Sequence, residues 1–131
     1  MSYLWIFIGG GLGSIARFAV NGLVTRSLGD TFPWGTILIN ITGSLAIGFF
    51  AGLTANEGRV HVSPTFRDFF MVGICGGYTT FSAFSLQTLQ LARNGDWLKA
   101  GGNVTLSVVL CLVAVWLGYL LALQFNRMKG P

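Results

Sequence analysis

Residues 66–91 read FRDFFMVGICGGYTTFSAFSLQTLQL, and this stretch decides what the chain can be. It begins apolar, then changes character within Gly76-Gly77-Tyr78-Thr79-Thr80-Phe81-Ser82-Ala83-Phe84-Ser85. Adjacent glycines lower helix stability, and adjacent threonines add β-branching and hydroxyls that compete for backbone hydrogen bonds. The pattern predicts a membrane helix that breaks at the glycine pair. A break at membrane depth frees backbone carbonyls, tolerated only where they are buried in protein or line a cavity. Freed carbonyls suit a hard cation such as Na⁺ or K⁺. After the break, Thr80, Ser82 and Ser85 offer hydroxyls, and Phe81 and Phe84 share one helix face. A phenyl ring has a negative face and a positive edge. Ring edges can therefore meet a small anion through weakly electropositive C–H groups, loosely enough to let it leave. A lone phenylalanine pair would read as core or lipid-facing; beside a glycine break and a hydroxyl cluster it reads as the wall of an ion path.

Three further apolar runs flank this one, at about Tyr3–Leu23, Trp34–Leu53 and Ala100–Leu123, each near the roughly 20 residues that cross a bilayer. Of the 131 residues, 53% are hydrophobic and 9% charged, against about 25% charged in an average soluble domain. So few charges cannot cover a water-exposed surface, so the remaining apolar surface must face lipid. The runs are too long and too continuously apolar for barrel strands. Met1–Ile8 lacks a basic flank and a cleavage site, so the first run is expected to remain as a span. The expected architecture is a single all-α membrane domain over residues 1–131, with four transmembrane helices and a break in the third.

With four spans, the N-terminus, the Asn56–Pro64 loop and the C-terminus share one side, which collects Arg59, Arg67, Arg127 and Lys129. The other side collects Arg26, Arg93 and Lys99. That is a weak bias under the positive-inside rule, so insertion in both orientations is allowed. Four short helices enclose little interior, which points to a homodimer, and the charge balance permits an antiparallel one.

The acidic residues Asp30, Glu57, Asp68 and Asp96 all lie in connectors or at span ends. A proton-coupled antiporter usually needs a titratable carboxylate at membrane depth. Small multidrug or cation antiporters of similar size carry one in their first span, which disfavours that alternative. Arg17 is the one intramembrane charge. It either snorkels to the headgroups or lends positive potential to an anion vestibule. Gly9 with Gly13, and Gly10 with Ser14, form small-residue pairs suited to close helix packing. Asn40 sits well inside the second run, where its amide must find partners and can donate to an anion. Asn103, Ser107 and Cys111 recur every four residues, as interhelical glue or as a second polar wall. The two cysteines, Cys75 and Cys111, fit no metal motif. His61, the single histidine, lies in a loop without a nucleophile partner, so an enzyme is not expected. The net charge of +4 resides mostly at span ends, where it suits lipid headgroups rather than nucleic acid.

The segment Gly76–Ser85 resembles the signature of the Fluc (CrcB) fluoride-channel family, which reads close to GGxTTFSTFS. Gly9–Arg17, and Trp34-Gly35-Thr36 with Asn40 and Gly43, look like that family's first- and second-span motifs. The resemblance covers essentially the whole chain and is most specific in the third span. It implies a passive fluoride-selective channel, an antiparallel dual-topology homodimer with two pores. Such proteins let cytoplasmic fluoride escape across the inner (plasma) membrane and so lower fluoride toxicity. By position, Phe81 and Phe84 match the pore phenylalanines and Asn40 the pore asparagine. Thr80 and Ser82 fall within the polar track, and Ser107 matches a pore-lining serine. The resemblance further implies that Gly76 and Thr79 carbonyls from both subunits hold a structural Na⁺ at the dimer interface. The chain departs from the pattern at Ala83, where Thr is usual, at Cys111, where Ser is frequent, and at Asn103, where an aromatic can occur. No pore role is carried onto Cys111.

Overall fold

The computed structural model describes residues 1–128, and Lys129, counted above toward one side of the membrane, lies outside the described residues. The described chain is helical throughout its long elements. Helix α1 (Ser2–Leu28) ends at Gly29, whose φ of 80° lies in the left-handed region that glycine enters without steric cost. Helix α2 covers Trp34–Leu53. The third span, Pro64–Arg93, is composite. It runs through α3 (Pro64–Arg67), a π-helical stretch Asp68–Cys75, α4 (Gly76–Tyr78) and α5 (Phe81–Arg93). Helix α6 covers Trp97–Met128. Among the described residues, four helices are thus long and apolar enough to cross a bilayer, which makes the chain a multi-pass membrane protein.

The third span begins where local chemistry starts a helix. The Ser63 hydroxyl accepts from the Phe66 N–H at 3.1 Å, and Pro64 takes the first helical turn, where a missing N–H costs nothing. Arg67 caps the end of α2 from across the loop, donating to the Thr54 hydroxyl at 2.7 Å.

Two seams of small residues hold the spans together. On α2, Gly48 and Gly52 lie one turn apart. A Cβ added to Gly48 would strike the Val115 backbone, and one on Gly52 would come within 2.8 Å of the Ala122 Cβ. Gly118 on α6 answers from the other side, against the backbone of Leu45 and Phe49. The second seam joins α1 to the third span. A Cβ on Gly9 would lie 2.6 Å from the Phe69 carbonyl oxygen, and one on Gly13 would strike the Ile74 carbonyl. Glycines 73 and 77 reciprocate toward Gly9 and Gly10. Small residues permit such approach, and dispersion between close backbones replaces the hydrophobic drive that lipid removes. The Gly9–Gly13 pair packs as its spacing predicts. Gly10 presents its own Cβ direction to open space, and Ser14 reaches the Gly77 carbonyl at 3.5 Å instead.

The break comes later than expected. Helical geometry persists through Gly76–Tyr78 and gives way at Thr79 (φ −82°, ψ 159°) and Thr80 (φ −152°, ψ 110°), both extended. Gly76 and Gly77 do not interrupt the helix. Gly77 is instead a packing residue, since any Cβ there would strike the Gly10 carbonyl. The chain parts at the threonines because their hydroxyls offer local alternatives to the helical ladder. The Thr79 hydroxyl turns back to the Cys75 carbonyl at 2.9 Å, and the Thr80 hydroxyl caps α5 by accepting from the Ala83 N–H at 3.2 Å. The π-helical turns before the break have no forewarning in the residue pattern. They place Gly73 and Gly77 toward α1, while Met71, Cys75 and Gly76 line a cavity beside α2 and α6.

Candidate ion path at the helix break

A break at this depth leaves backbone groups without their helical partners. Side chains from two other spans replace them. The Asn40 amide pairs with Thr80 reciprocally: its Nδ2 donates to the Thr80 carbonyl at 3.1 Å, and its Oδ1 accepts from the Thr80 N–H at 2.8 Å. The side chain thereby acts as a strand edge one residue long. The Arg17 Nε donates to the Gly77 carbonyl at 3.1 Å. Arg17 is therefore tethered to the break, and of its two possible placements the structure shows the interior one. The Tyr78 hydroxyl meets that of Thr42 at 2.9 Å while its ring lies over Gly43. Each of α1 and α2 thus holds one side of the break.

A cavity of about 410 Å³ opens beside it. Asn40, Thr80, Phe81, Phe84 and Ser107 all line this space, as do Gly76 and Thr79. The phenylalanine rings stand 5.3 Å apart, centroid to centroid, tilted by 51°. They are not equivalent. Phe84 is 9% exposed, whereas Phe81 is 78% exposed on the open side of the cavity. The Ser82 hydroxyl approaches that of Thr80 at 3.4 Å, yet Ser82 is exposed and stands outside the cavity wall. Cys111, given no role from sequence, lines the cavity together with Cys75, Ser44 and Met71.

Arg17 faces a second, smaller cavity of about 210 Å³, bordered by Ser14, Asn21, Thr36, Thr80 and Gln87. Thr80 belongs to both walls, so the Asn40–Thr80 pair stands between the two spaces. Asn21 and Gln87 also border a third space, of about 540 Å³, at the end of the molecule that carries Asp30, Asp96 and Lys99. The three spaces form a succession from a polar mouth, past Arg17, to the phenylalanine-lined cavity. Beyond that cavity, toward the other end of α6, the adjoining hollow is lined by Ile47, Val115, Trp116 and other side chains without a charge. Neither the phenylalanine-lined cavity nor the one at Arg17 has a carboxylate on its wall.

The fourth span supplies its wall through a buried network. The Ser107 hydroxyl donates to Asn103 Oδ1 at 3.3 Å, Asn103 Nδ2 donates to the Thr88 hydroxyl at 2.9 Å, and Thr88 donates to the Phe84 carbonyl at 2.8 Å. Asn103 therefore ties α6 to α5 through Thr88, while Ser107 stands on the cavity wall. Asn21 and Gln87 were not singled out from sequence, whereas Thr36 stands in the second-span motif. Polar side chains inside otherwise apolar spans were the available signal.

Among the described residues, no group of three or more His, Cys, Asp or Glu is placed to hold a metal. The carbonyl donors at the break are the alternative for a hard cation. The Gly77 and Thr80 carbonyls are occupied by Arg17 and Asn40. Those of Gly76 and Thr79 receive no hydrogen bond from any loop, cap or side chain among the described residues.

A family model described as "CrcB-like protein, Camphor Resistance (CrcB)" matches residues 4–119. The chain is 61% identical over 128 residues to a protein of Opitutus terrae named "Fluoride-specific ion channel FluC", covering 98% of this chain and 97% of that one. Proteins with the same name from Methylocella silvestris and Rhodospirillum rubrum are 58% and 56% identical, over 130 and 127 residues. These alignments cover 99% of both chains in the first case, and 97% of this chain and 98% of the other in the second.

Proposed function

The chain belongs to the CrcB family, and from that footing we propose that it is a passive fluoride-selective ion channel, not an enzyme, that lets fluoride leave the cytoplasm across the inner membrane. The observation that carries this reading is the cavity lined together by Asn40, Thr80, Ser107, Phe81 and Phe84, without a carboxylate on the wall. Fluoride is small and strongly hydrated, so it needs donors in place of water. Asn40 keeps one N–H beyond the one given to Thr80. Phenyl edges add weak positive potential without a full opposite charge that would trap the ion. Arg17, held by its Nε, raises the positive potential in the vestibule next to Thr80. A small antiporter is disfavoured because neither cavity has a carboxylate on its wall.

Two features favour an antiparallel homodimer. Phe81 is 78% exposed although it walls the cavity, so the path is open on one side until a second copy closes it. Among the described residues the polar succession also enters from the end that carries Asp30, Asp96 and Lys99, and the hollow toward the other end has an apolar wall. An inverted copy would bring its own polar mouth to that end. By two-fold symmetry such a dimer would contain two equivalent pores. The carbonyls of Gly76 and Thr79, which receive no loop, cap or side-chain hydrogen bond among the described residues, would hold a structural Na⁺ as hard oxygen donors. One chain offers this pair alone, so the ion would require both subunits.

Fluoride and chloride efflux from liposomes holding the purified protein tests the channel. Fluoride is expected to leave rapidly while chloride stays. Comparable chloride flux, or none of either ion, overturns the proposal. Fluoride flux is expected to continue without net Na⁺ movement; stoichiometric Na⁺ transport would contradict a structural cation. Cross-linking that captures solely parallel pairs would rule out the antiparallel arrangement.

A further inference from the structure

The hydroxyl of Ser107 is oriented differently from five others in the described chain. Thr42, Thr54, Thr79, Ser85 and Thr88 each turn back to the carbonyl four residues earlier, at 2.8 to 3.0 Å. This is the ordinary resting place of a hydroxyl in a membrane helix. Ser107 instead donates to the side chain of Asn103. Asn103 is 0% exposed, and its amide is held at both ends.

The direction of every proton in this network follows from its terminus. The Phe84 carbonyl can only accept, so the single Thr88 proton goes there. The Thr88 oxygen can then only accept from Asn103, which assigns Nδ2 to that side. Oδ1 is left facing Ser107, and Ser107 must donate to it. At 3.3 Å this last bond is long, near the limit for a hydroxyl, and therefore weak. Both ends of the network, Ser107 and Phe84, line the same cavity.

We propose that Asn103 is a positioning residue for conduction: it keeps the Ser107 proton off the helix backbone and in a weak bond, from which it swings to a passing fluoride. This inference rests on the channel reading above. Without Asn103 the hydroxyl falls back to the carbonyl of residue 103 in a shorter bond, and the ion loses a donor. The weak bond also returns the proton after the ion leaves, so the buried Oδ1 is unpaired only in passing.

The test is a double-mutant cycle in liposome fluoride flux. Asn103→Leu is expected to lower the rate about five-fold when Ser107 is present, the scale of one hydrogen bond, and to change it by less than about 1.5-fold in a Ser107→Ala background. A merely structural Asn103 would lower flux equally in both backgrounds, and that result overturns the proposal. Thr88→Val removes the middle of the network from α5 and leaves α6 untouched. It is expected to give a loss of about two-fold, again dependent on Ser107. This variant decides the matter if Asn103→Leu does not assemble: a loss independent of Ser107 overturns the role. Wild-type protein that passes no fluoride overturns the channel reading and this inference with it. A conducting wild type with background-independent losses overturns the role of Asn103 alone.

Discussion

The seam between α2 and α6 and the break at Thr79–Thr80 solve the same problem in opposite ways. Both bring backbone close to backbone inside a bilayer. At the seam, Gly48, Gly52 and Gly118 remove side chains, so intact helices touch and their hydrogen-bond ladders stay closed. At the break the ladder opens, and Asn40 and Arg17 reach in to replace part of what was lost. The seam's glycines offer no side chain to a ligand. The break leaves the Gly76 and Thr79 carbonyls and one Asn40 N–H, all beside a cavity. Rigidity and chemistry are thus divided between neighbouring parts of one small molecule, both touching α2.

The contrast predicts a graded set of outcomes. The largest concerns the seam. Gly48→Leu drives a side chain into the Val115 backbone, which cannot retreat without parting the helices. Monodisperse protein is expected to vanish from size-exclusion chromatography. Recovery of normal amounts of conducting protein would mean the seam is not the rigid element. Next comes Asn40→Leu, which keeps volume but strands the Thr80 N–H and carbonyl, at about 1–3 kcal/mol for each unpaired group. Folded protein is expected with a lower melting temperature and fluoride flux down about a hundred-fold, the equivalent of some 2.7 kcal/mol in barrier. Unchanged melting with lost flux would make Asn40 an ion contact alone and not a support of the break. Phe84→Ile should preserve folding and lower flux about ten-fold, because it replaces a ring edge by an apolar side chain on the cavity wall. Wild-type flux there would move the path away from the ring. The smallest effect is expected for Ser82→Ala, under about two-fold, since Ser82 stands outside the cavity and can lose its hydroxyl without stranding a buried partner. A ten-fold loss would extend the path to the exposed side of α5.

Much of the fold was legible in the residues. Four spans followed from apolar runs and scarce charge, and the Gly9–Gly13 pair packs as its spacing implied. The position of the break did not follow. Glycine propensity pointed to Gly76-Gly77, but the helix continues there with Gly77 packed closely against α1, and the turn falls to the threonines. Equal status for Phe81 and Phe84 did not follow either. Shared helical face says that two rings point alike, but the neighbours decide which is covered, and α6 lies beside Phe84 while Phe81 stands open.

By itself the sequence determined the span count, the polarity of the interrupted span, and the absence of a carboxylate at membrane depth. These depend on composition and local periodicity, which a linear chain displays directly. Only the tertiary structure decided which polar groups at the break are spent and which remain. Asn40 lies 40 residues from Thr80, and Arg17 lies 60 residues from Gly77. Hydrogen-bond partnership across such separations is a property of packing, because no residue pattern states which carbonyl an amide or guanidinium will reach. The Asn103 network has the same character. The sequence displayed a polar stripe on the fourth span, but the order of its protons appeared once Thr88 and the Phe84 carbonyl were seen at its end.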